Sequence, residues 1–248
     1  MTDWLFPLRR GGTDFAYRLV VFPYAAAGPT AFRGLFARLP DPVQLLGVAL
    51  PGRERRFDEP PGTTLAEVTA GVAGDLAARD PLPTVLLGHS LGAALAMAVA
   101  SSAPAACEGL VISGRKPHGV PLGALHGLTD DEIAAFLAAA GNTAPELLAD
   151  AYWRDHLIRL FRHDTALDVE ATRQAGSGAL RARILALGGT DDPYVDPAEL
   201  SAWAARTSGS CTVAVFPGAH FFLLDPANHA AVGDALTGFL GVADHLRR

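Results

Sequence analysis

The stretch Thr84-Val85-Leu86-Leu87-Gly88-His89-Ser90-Leu91-Gly92-Ala93-Ala94-Leu95-Ala96-Met97 decides how the chain is read. It starts as a short apolar run of buried-strand character and ends as an alanine- and leucine-rich helix, with Gly-His-Ser-Leu-Gly at the junction. A serine on so tight a strand-to-helix turn takes a strained backbone conformation. Glycines two residues to either side let the neighbouring backbone and helix close in on it. Ser90 is therefore expected at the carboxyl edge of a sheet and at the N-terminus of a helix, the setting of a nucleophile elbow.

Working outward, strand-like runs occur at Tyr17–Phe22, Val43–Leu50, Thr84–Gly88, Gly109–Ser113, Arg183–Gly188 and Cys211–Phe216. Each is apolar without alternation, which predicts a mostly parallel sheet covered on both faces. Helical patterns at Ala31–Leu39, Leu65–Ala78, Leu91–Ala103, Pro197–Thr207 and Ala227–Phe239 alternate with them, giving an α/β fold with helices flanking the sheet. Residues 122–177 break the rhythm: they hold no strand pattern, and Thr129-Asp130-Asp131-Glu132 opens a helix as a capping box. A helical insertion of this length is expected to cover one sheet edge as a lid.

At 248 residues, half of them hydrophobic and 19% charged, the chain is expected to form a single domain spanning residues 1–248 around one large core. The net charge of -6 argues against long-range attraction to nucleic acid or to an anionic membrane. Cys107 and Cys211 are too few and too far apart for a disulfide framework or a cysteine-rich metal site and read as reduced thiols. Asp3 precedes a short apolar patch that Arg9 and Arg10 follow, the wrong order for a signal peptide, and the small-apolar run Leu91–Ala100 is half a membrane span. A cytoplasmic protein is expected. No metal-ligand spacing, phosphate loop or dinucleotide fingerprint is present, so neither a metal nor a cofactor is expected.

A serine hydroxyl is a weak nucleophile at neutral pH and needs a base, which in turn needs an orienting group. In a chain of this order the acid and then the histidine arrive in loops after late strands. His220, in Pro217-Gly218-Ala219-His220-Phe221 after the last strand, takes the place of the base. The preceding loop offers adjacent carboxylates, Asp191 and Asp192. The acid-x-x-apolar pattern favours Asp192, with Val195 as its packed anchor, and keeps Asp191 as the alternative. His89 reads as local packing. For the oxyanion, the Leu91 N–H is one donor, and the small-residue turn Tyr24-Ala25-Ala26-Ala27 supplies the other, Ala25 before Tyr24.

With these residues in view, the chain resembles the type II thioesterases that accompany modular polyketide and nonribosomal peptide synthases. The resemblance runs through Phe22-Pro23-Tyr24-Ala25, Leu50-Pro51-Gly52-Arg53-Glu54-Arg55-Arg56, the elbow, the helical insertion, Gly189-Thr190-Asp191-Asp192 and Gly218-Ala219-His220-Phe221. Pro51–Arg56 is its most discriminating segment. After the early Phe-Pro, family members usually carry His-Ala-Gly-Gly, where this chain has Tyr24-Ala25-Ala26-Ala27. The resemblance implies an α/β-hydrolase fold and hydrolysis of acyl thioesters on the phosphopantetheine arm of acyl or peptidyl carrier proteins, clearing stalled or wrongly loaded units. Small acyl thioesters would be substrates of the same site.

Arg53, Arg55 and Arg56 follow a strand's carboxyl end, on the side expected to hold the site. Arg53 is the first candidate to contact a carrier or its phosphate, against the alternative that these arginines fold onto Glu54 and Asp58. Arg115 and Lys116 leave another strand end. Within the insertion, Phe136, Leu137, Leu147, Leu148, Trp153, Leu157, Leu160 and Phe161 recur at helical spacing and read mostly as lid core, some of them lining an acyl tunnel. The competing readings are a small-molecule carboxylesterase with the same triad and, from another class, a non-catalytic carrier-binding protein, which would need a broken triad.

Overall fold

The computed structural model describes residues 3–9, 12, 14–118, 125, 127–175 and 179–242. Among the described residues seven strands form one sheet: β1 (Leu5–Pro7), β2 (Tyr17–Phe22), β3 (Val43–Val48), β4 (Thr84–His89), β5 (Gly109–Ser113), β6 (Arg183–Gly189) and β7 (Cys211–Phe216), in the order β1-β3-β2-β4-β5-β6-β7. All neighbours are parallel except β1, which pairs antiparallel with β3 at the edge. β4 is central and buried along its whole length, as its unbroken apolar run requires.

The α-helices of the described residues are α1 (Arg33–Phe36), α2 (Leu65–Ala77), α3 (Leu91–Ser102), α4 (Asp130–Ala139), α5 (Pro145–Ala149), α6 (Ala151–Ala175) and α7 (His229–Leu240). Thr64 and Glu67 close a capping box at the start of α2, and Thr129 and Glu132 do the same for α4. α3 is buried continuously from Leu91 to Ala100, and its many alanines suit a helix packed on every side. One core cluster joins α2, α3 and the C-terminal half of α6, through Leu167 and Ala171, to one face of the sheet. A second joins α1 and α7 to the other face.

The structure differs from the sequence reading at several places. β1 has only three residues, too few for a period, and was not expected. β3 stops at Val48, because the chain turns at Pro51-Gly52, where Gly52 has φ 80°. The expected helix Ala31–Leu39 is reduced to a 3-10 turn, Pro29–Phe32, and the four residues of α1. Pro197–Arg206 winds as a 3-10 helix capped by the Asp196 side chain. β7 is not covered on both faces: it is an edge strand, with Val213 37% and Val215 43% exposed.

Between β5 and β6 lie α4, α5 and α6; the expected insertion limits at residues 122 and 177 fall outside the described residues. Ile133 and Leu137 of α4 pack on Ile158 and Phe161 of α6 in a satellite cluster, with Phe136, Leu148 and Leu157 partly buried against it. Leu160 is also buried, whereas Leu147 is half-buried and Trp153 is 37% exposed, and these last two lie outside that cluster.

Candidate active site

Ser90 sits between β4 and α3 at φ 54°, ψ −117°, a region that non-glycine residues enter only under constraint. The flanking glycines make the turn possible. A Cβ on Gly88 would stand 2.1 Å from the Gly92 carbonyl carbon, and one on Gly92 would stand 2.2 Å from the Phe22 oxygen. The Ser90 N–H donates to the Ser113 carbonyl at 2.9 Å, and the Ser90 carbonyl accepts from Ala93 N–H at 3.1 Å and from Arg115 Nη1 at 3.3 Å.

His220, in the loop after β7, places Nδ1 2.8 Å from Asp192 Oδ2. The Asp192 side chain is fully buried; its Oδ1 accepts from the Tyr194 and Val195 amides at 2.8 and 3.3 Å. These bonds orient the carboxylate, which fixes the proton of neutral His220 on Nδ1 and leaves Nε2 as the basic atom. Val195, 2% exposed, packs as the anchor of this turn. Asp191 is exposed and its carboxylate accepts from Thr190 Oγ1 at 2.7 Å.

Ser90 and His220 both line a cavity of about 370 Å³, with Tyr24, Ala25, Phe136, Phe161, Tyr194 and Phe221 among its walls. Tyr194 and Phe221 stand edge-on to the His220 ring, each at 5.1 Å between centroids. His89 lies 4.7 Å from His220, fully buried, with Nδ1 3.0 Å from Ser113 Oγ. Burial first, and the nearby charge of His220 second, push His89 well below the ordinary imidazole value, so it stays neutral beside His220. Gly114, at φ 59°, leaves room for both rings: a Cβ there would meet His89 Cε1 at 2.6 Å and His220 Cε1 at 3.0 Å.

Ala25 lines the cavity in a turn closed by Ala27 N–H to the Tyr24 carbonyl at 3.1 Å. Leu91 opens α3 directly after the serine, so its N–H has no carbonyl one turn back within the helix. The left-handed residue of the turn is Ala26, at φ 61°, at a position where the resemblance leads to an expectation of glycine. Its N–H donates to Asp164 Oδ2 at 2.7 Å. Burial raises the Tyr24 phenol, with a hydrogen bond to the Asn142 side chain opposing it.

Arg53 is placed differently from its expectation. It is 5% exposed and turned inward, forming a two-pronged pair with Asp164 of α6 at 2.8 and 2.9 Å. A side chain so enclosed offers no surface to a carrier. Arg56 forks onto Glu59, and Arg55 lies over the Phe6 ring. Arg115 pairs with Asp168, also on α6, at 2.7 Å, and Lys116 with Glu199 at 2.9 Å. Neither Asp164 nor Asp168 stood out in the sequence, although Phe161, Asp164, Asp168 and Ala171 fall on one helical stripe. A carboxylate on a buried stripe requires a buried cation, and that signal was available. Among the described residues, no group of three or more His, Cys, Asp or Glu side chains is arranged to hold a metal ion.

A strained serine at the carboxyl edge of a parallel sheet, sharing a cavity with an imidazole held by a buried carboxylate, defines the class: a hydrolase of the α/β-hydrolase fold. Residues 17–239 match the family model described as Thioesterase domain, and the chain belongs to that family; it is a thioester hydrolase. It is similar to the gramicidin S biosynthesis protein GrsT of Aneurinibacillus migulanus, 29% identical over 214 residues that cover 84% of this chain and 83% of that protein. It is also similar to thioesterase PikA5 of Streptomyces venezuelae, 31% identical over 85% of this chain and 76% of the relative. Among solved structures, the type II thioesterase BorB from the borrelidin biosynthetic cluster superposes with a TM-score of 0.79 at 30% identity, covering 96% of this chain and 98% of that one. YbtT, a type II thioesterase from the yersiniabactin pathway, gives a TM-score of 0.83 at 25% identity, covering 97% and 99% of the two chains.

Proposed function

We propose that the chain hydrolyses acyl thioesters carried on the phosphopantetheine arm of an acyl or peptidyl carrier protein, removing stalled or aberrant acyl groups during polyketide or nonribosomal peptide assembly. The observation that carries this reading is the site itself: Ser90 and the His220–Asp192 pair open onto a cavity walled largely by Phe136, Phe161, Tyr194, Val195 and Phe221. Such walls suit an acyl chain while the polar groups act on its carbonyl. YbtT, a type II thioesterase from the yersiniabactin NRPS/PKS biosynthetic pathway, supports the choice of partner, and BorB, a type II thioesterase from the borrelidin biosynthetic cluster, supports the reaction.

In this mechanism His220 Nε2 takes the Ser90 proton as Oγ attacks the thioester carbonyl, and Asp192 stabilises the resulting imidazolium. The N–H groups of Leu91 and Ala25 receive the developing oxyanion. Collapse of the tetrahedral intermediate breaks the C–S bond, and the pantetheine sulfur leaves as a thiol after taking the proton back from His220. Water activated by the same imidazole then attacks the acyl-serine, releasing the free acid and restoring Ser90. Helices α4, α5 and α6 act as a lid over the acyl chain, and the site works in the cytoplasm with its carriers. Among the described residues no helix is long and apolar enough to cross a membrane.

The test compares kcat/KM for one acyl group on a carrier protein and on free pantetheine. The proposal expects the carrier-bound substrate to be favoured by about tenfold or more, equivalent to about 1.4 kcal/mol of added transition-state binding. Equal values on both, together with rapid turnover of simple aryl esters, would make the protein a small-molecule esterase instead.

A further inference from the structure

We propose that Asp164 and Arg53 form a buried brace that positions the oxyanion loop, so that α6 of the insertion sets the direction of the Ala25 N–H. The inference rests on the acyl-transfer reading above and adds to it residues that touch neither substrate nor nucleophile.

Asp164 is 0% exposed, and both of its oxygens are engaged. Oδ2 accepts from Arg53 Nη1 at 2.8 Å and from the Ala26 N–H at 2.7 Å, while Oδ1 accepts from Arg53 Nη2 at 2.9 Å. Arg53 Nη1 also donates to the Ala27 carbonyl at 3.2 Å. The pair therefore grips the loop at consecutive residues, holding one by its N–H and the next by its carbonyl. The gripped residue, Ala26, is in the left-handed region at φ 61°. That conformation is costly for a non-glycine residue, so it persists where its surroundings over-determine it. The Ala26 N–H belongs to the peptide plane that ends Ala25. Asp164 fixes that plane, Arg53 fixes the plane two further on through the Ala27 carbonyl, and the Ala27 N–H holds the Tyr24 carbonyl, which shares a peptide plane with the Ala25 N–H; together these bonds restrict the torsions that set the direction of that N–H.

The residue after Arg53 braces the far side of the same loop. Glu54, at φ 46°, accepts from the Thr30 amide at 3.0 Å and from the Thr30 hydroxyl. Gly28 leaves space for it, since a Cβ there would lie 2.1 Å from Glu54 Oε1. The segment Pro51–Arg56 thus acts as a bracket on the oxyanion turn. A buried ion pair contributes little net stability compared with an apolar replacement, but breaking one side of it leaves an uncompensated charge. Here the pair supplies geometry that an apolar pair lacks, because leucine and methionine cannot accept from an N–H or donate to a carbonyl.

The test uses Asp164→Asn and Arg53→Lys in the full chain, with an acyl-pantetheine thioester as substrate. Paired with it are an acyl trifluoromethyl ketone, which forms an oxyanion on Ser90, and the matching amide, which binds without reacting. The expected result for Asp164→Asn is a kcat lower by about 100-fold, the scale of losing one oxyanion donor, with KM changed less than about threefold. Affinity for the ketone should fall by the same factor as kcat/KM, and affinity for the amide should not. Arg53→Lys keeps the charge but loses the fork, and should show the same pattern at smaller size. A lower melting temperature with unchanged kcat and ketone affinity would overturn the proposal, as would equal loss of ketone and amide binding. Should Asp164→Asn fail to fold, Arg53→Lys decides by the same criteria. Wild-type turnover of the free thioester, absent in Ser90→Ala, tests the underlying reading separately, so the two failures are distinguishable.

Discussion

Replacing Ser90 with glycine removes the nucleophile and also removes a side chain from a backbone held at φ 54°, ψ −117°. Strain of this kind costs about 1–3 kcal/mol, and glycine gives back about 0.5–1 kcal/mol through the freedom it adds to the unfolded chain. Ser90→Ala is the proper reference, because alanine also lacks the hydroxyl but keeps the Cβ that creates the strain. Ser90→Gly should then be more stable than Ser90→Ala by about 1.3 kcal/mol at the middle of these ranges and about 2.5 kcal/mol at most. In a chain of this length the middle value corresponds to a melting temperature higher by about 3–5 °C. Thermal unfolding followed by circular dichroism at one pH and one scan rate reads the difference, with both variants inactive. A glycine variant that melts at or below the alanine variant would refute the claim that the elbow stores strain at Ser90.

Asp192→Asn should lower kcat by about 10³–10⁴-fold, because the imidazole loses the carboxylate that fixes its tautomer, whereas Asp191→Asn, exposed and bonded to Thr190, should change it less than about threefold. Steady-state rates decide this, and reversed results would exchange the two roles. Stability should fall as pH drops below about 6.5: burial holds His89 neutral in the fold, so between its depressed value and 6.5 the unfolded chain binds more protons. His156 and His163, also lowered by burial, act in the same direction. His89→Gln should flatten the urea-derived stability slope in that window by up to one proton, about 1.4 kcal/mol per pH unit, and an unaltered slope would place the acid sensitivity elsewhere.

The elbow was readable because two glycines flanking a serine between a strand and a helix leave few other solutions, and their virtual Cβ contacts of 2.1 and 2.2 Å show how little room remains. Asp192 and His220 were readable for a related reason: parallel strands deliver their following loops to one edge, so residues far apart in sequence converge there. β1 was hidden because three residues carry no period, and it is held by pairing with β3. The exposed face of β7 is not legible in the sequence, because apolar composition does not distinguish a central strand from an edge one. Arg53 followed a strand end, as a surface contact would, but its environment depended on Asp164, more than a hundred residues away on a helix otherwise read by its apolar stripe. Charge pairing across such separations is set by packing, and only the position of Asp164 on a buried helical face pointed to it.

The central claim is that the acyl group passes through Ser90. Rapid mixing of the wild-type protein with an acyl-pantetheine thioester, an acid quench within the first turnover, and peptide mapping by mass spectrometry test it directly. The expected result is the mass of the acyl group on the peptide containing Ser90, forming before free acid and absent in Ser90→Ala. An adduct on another residue, or thioester hydrolysis that continues in Ser90→Ala, would contradict it.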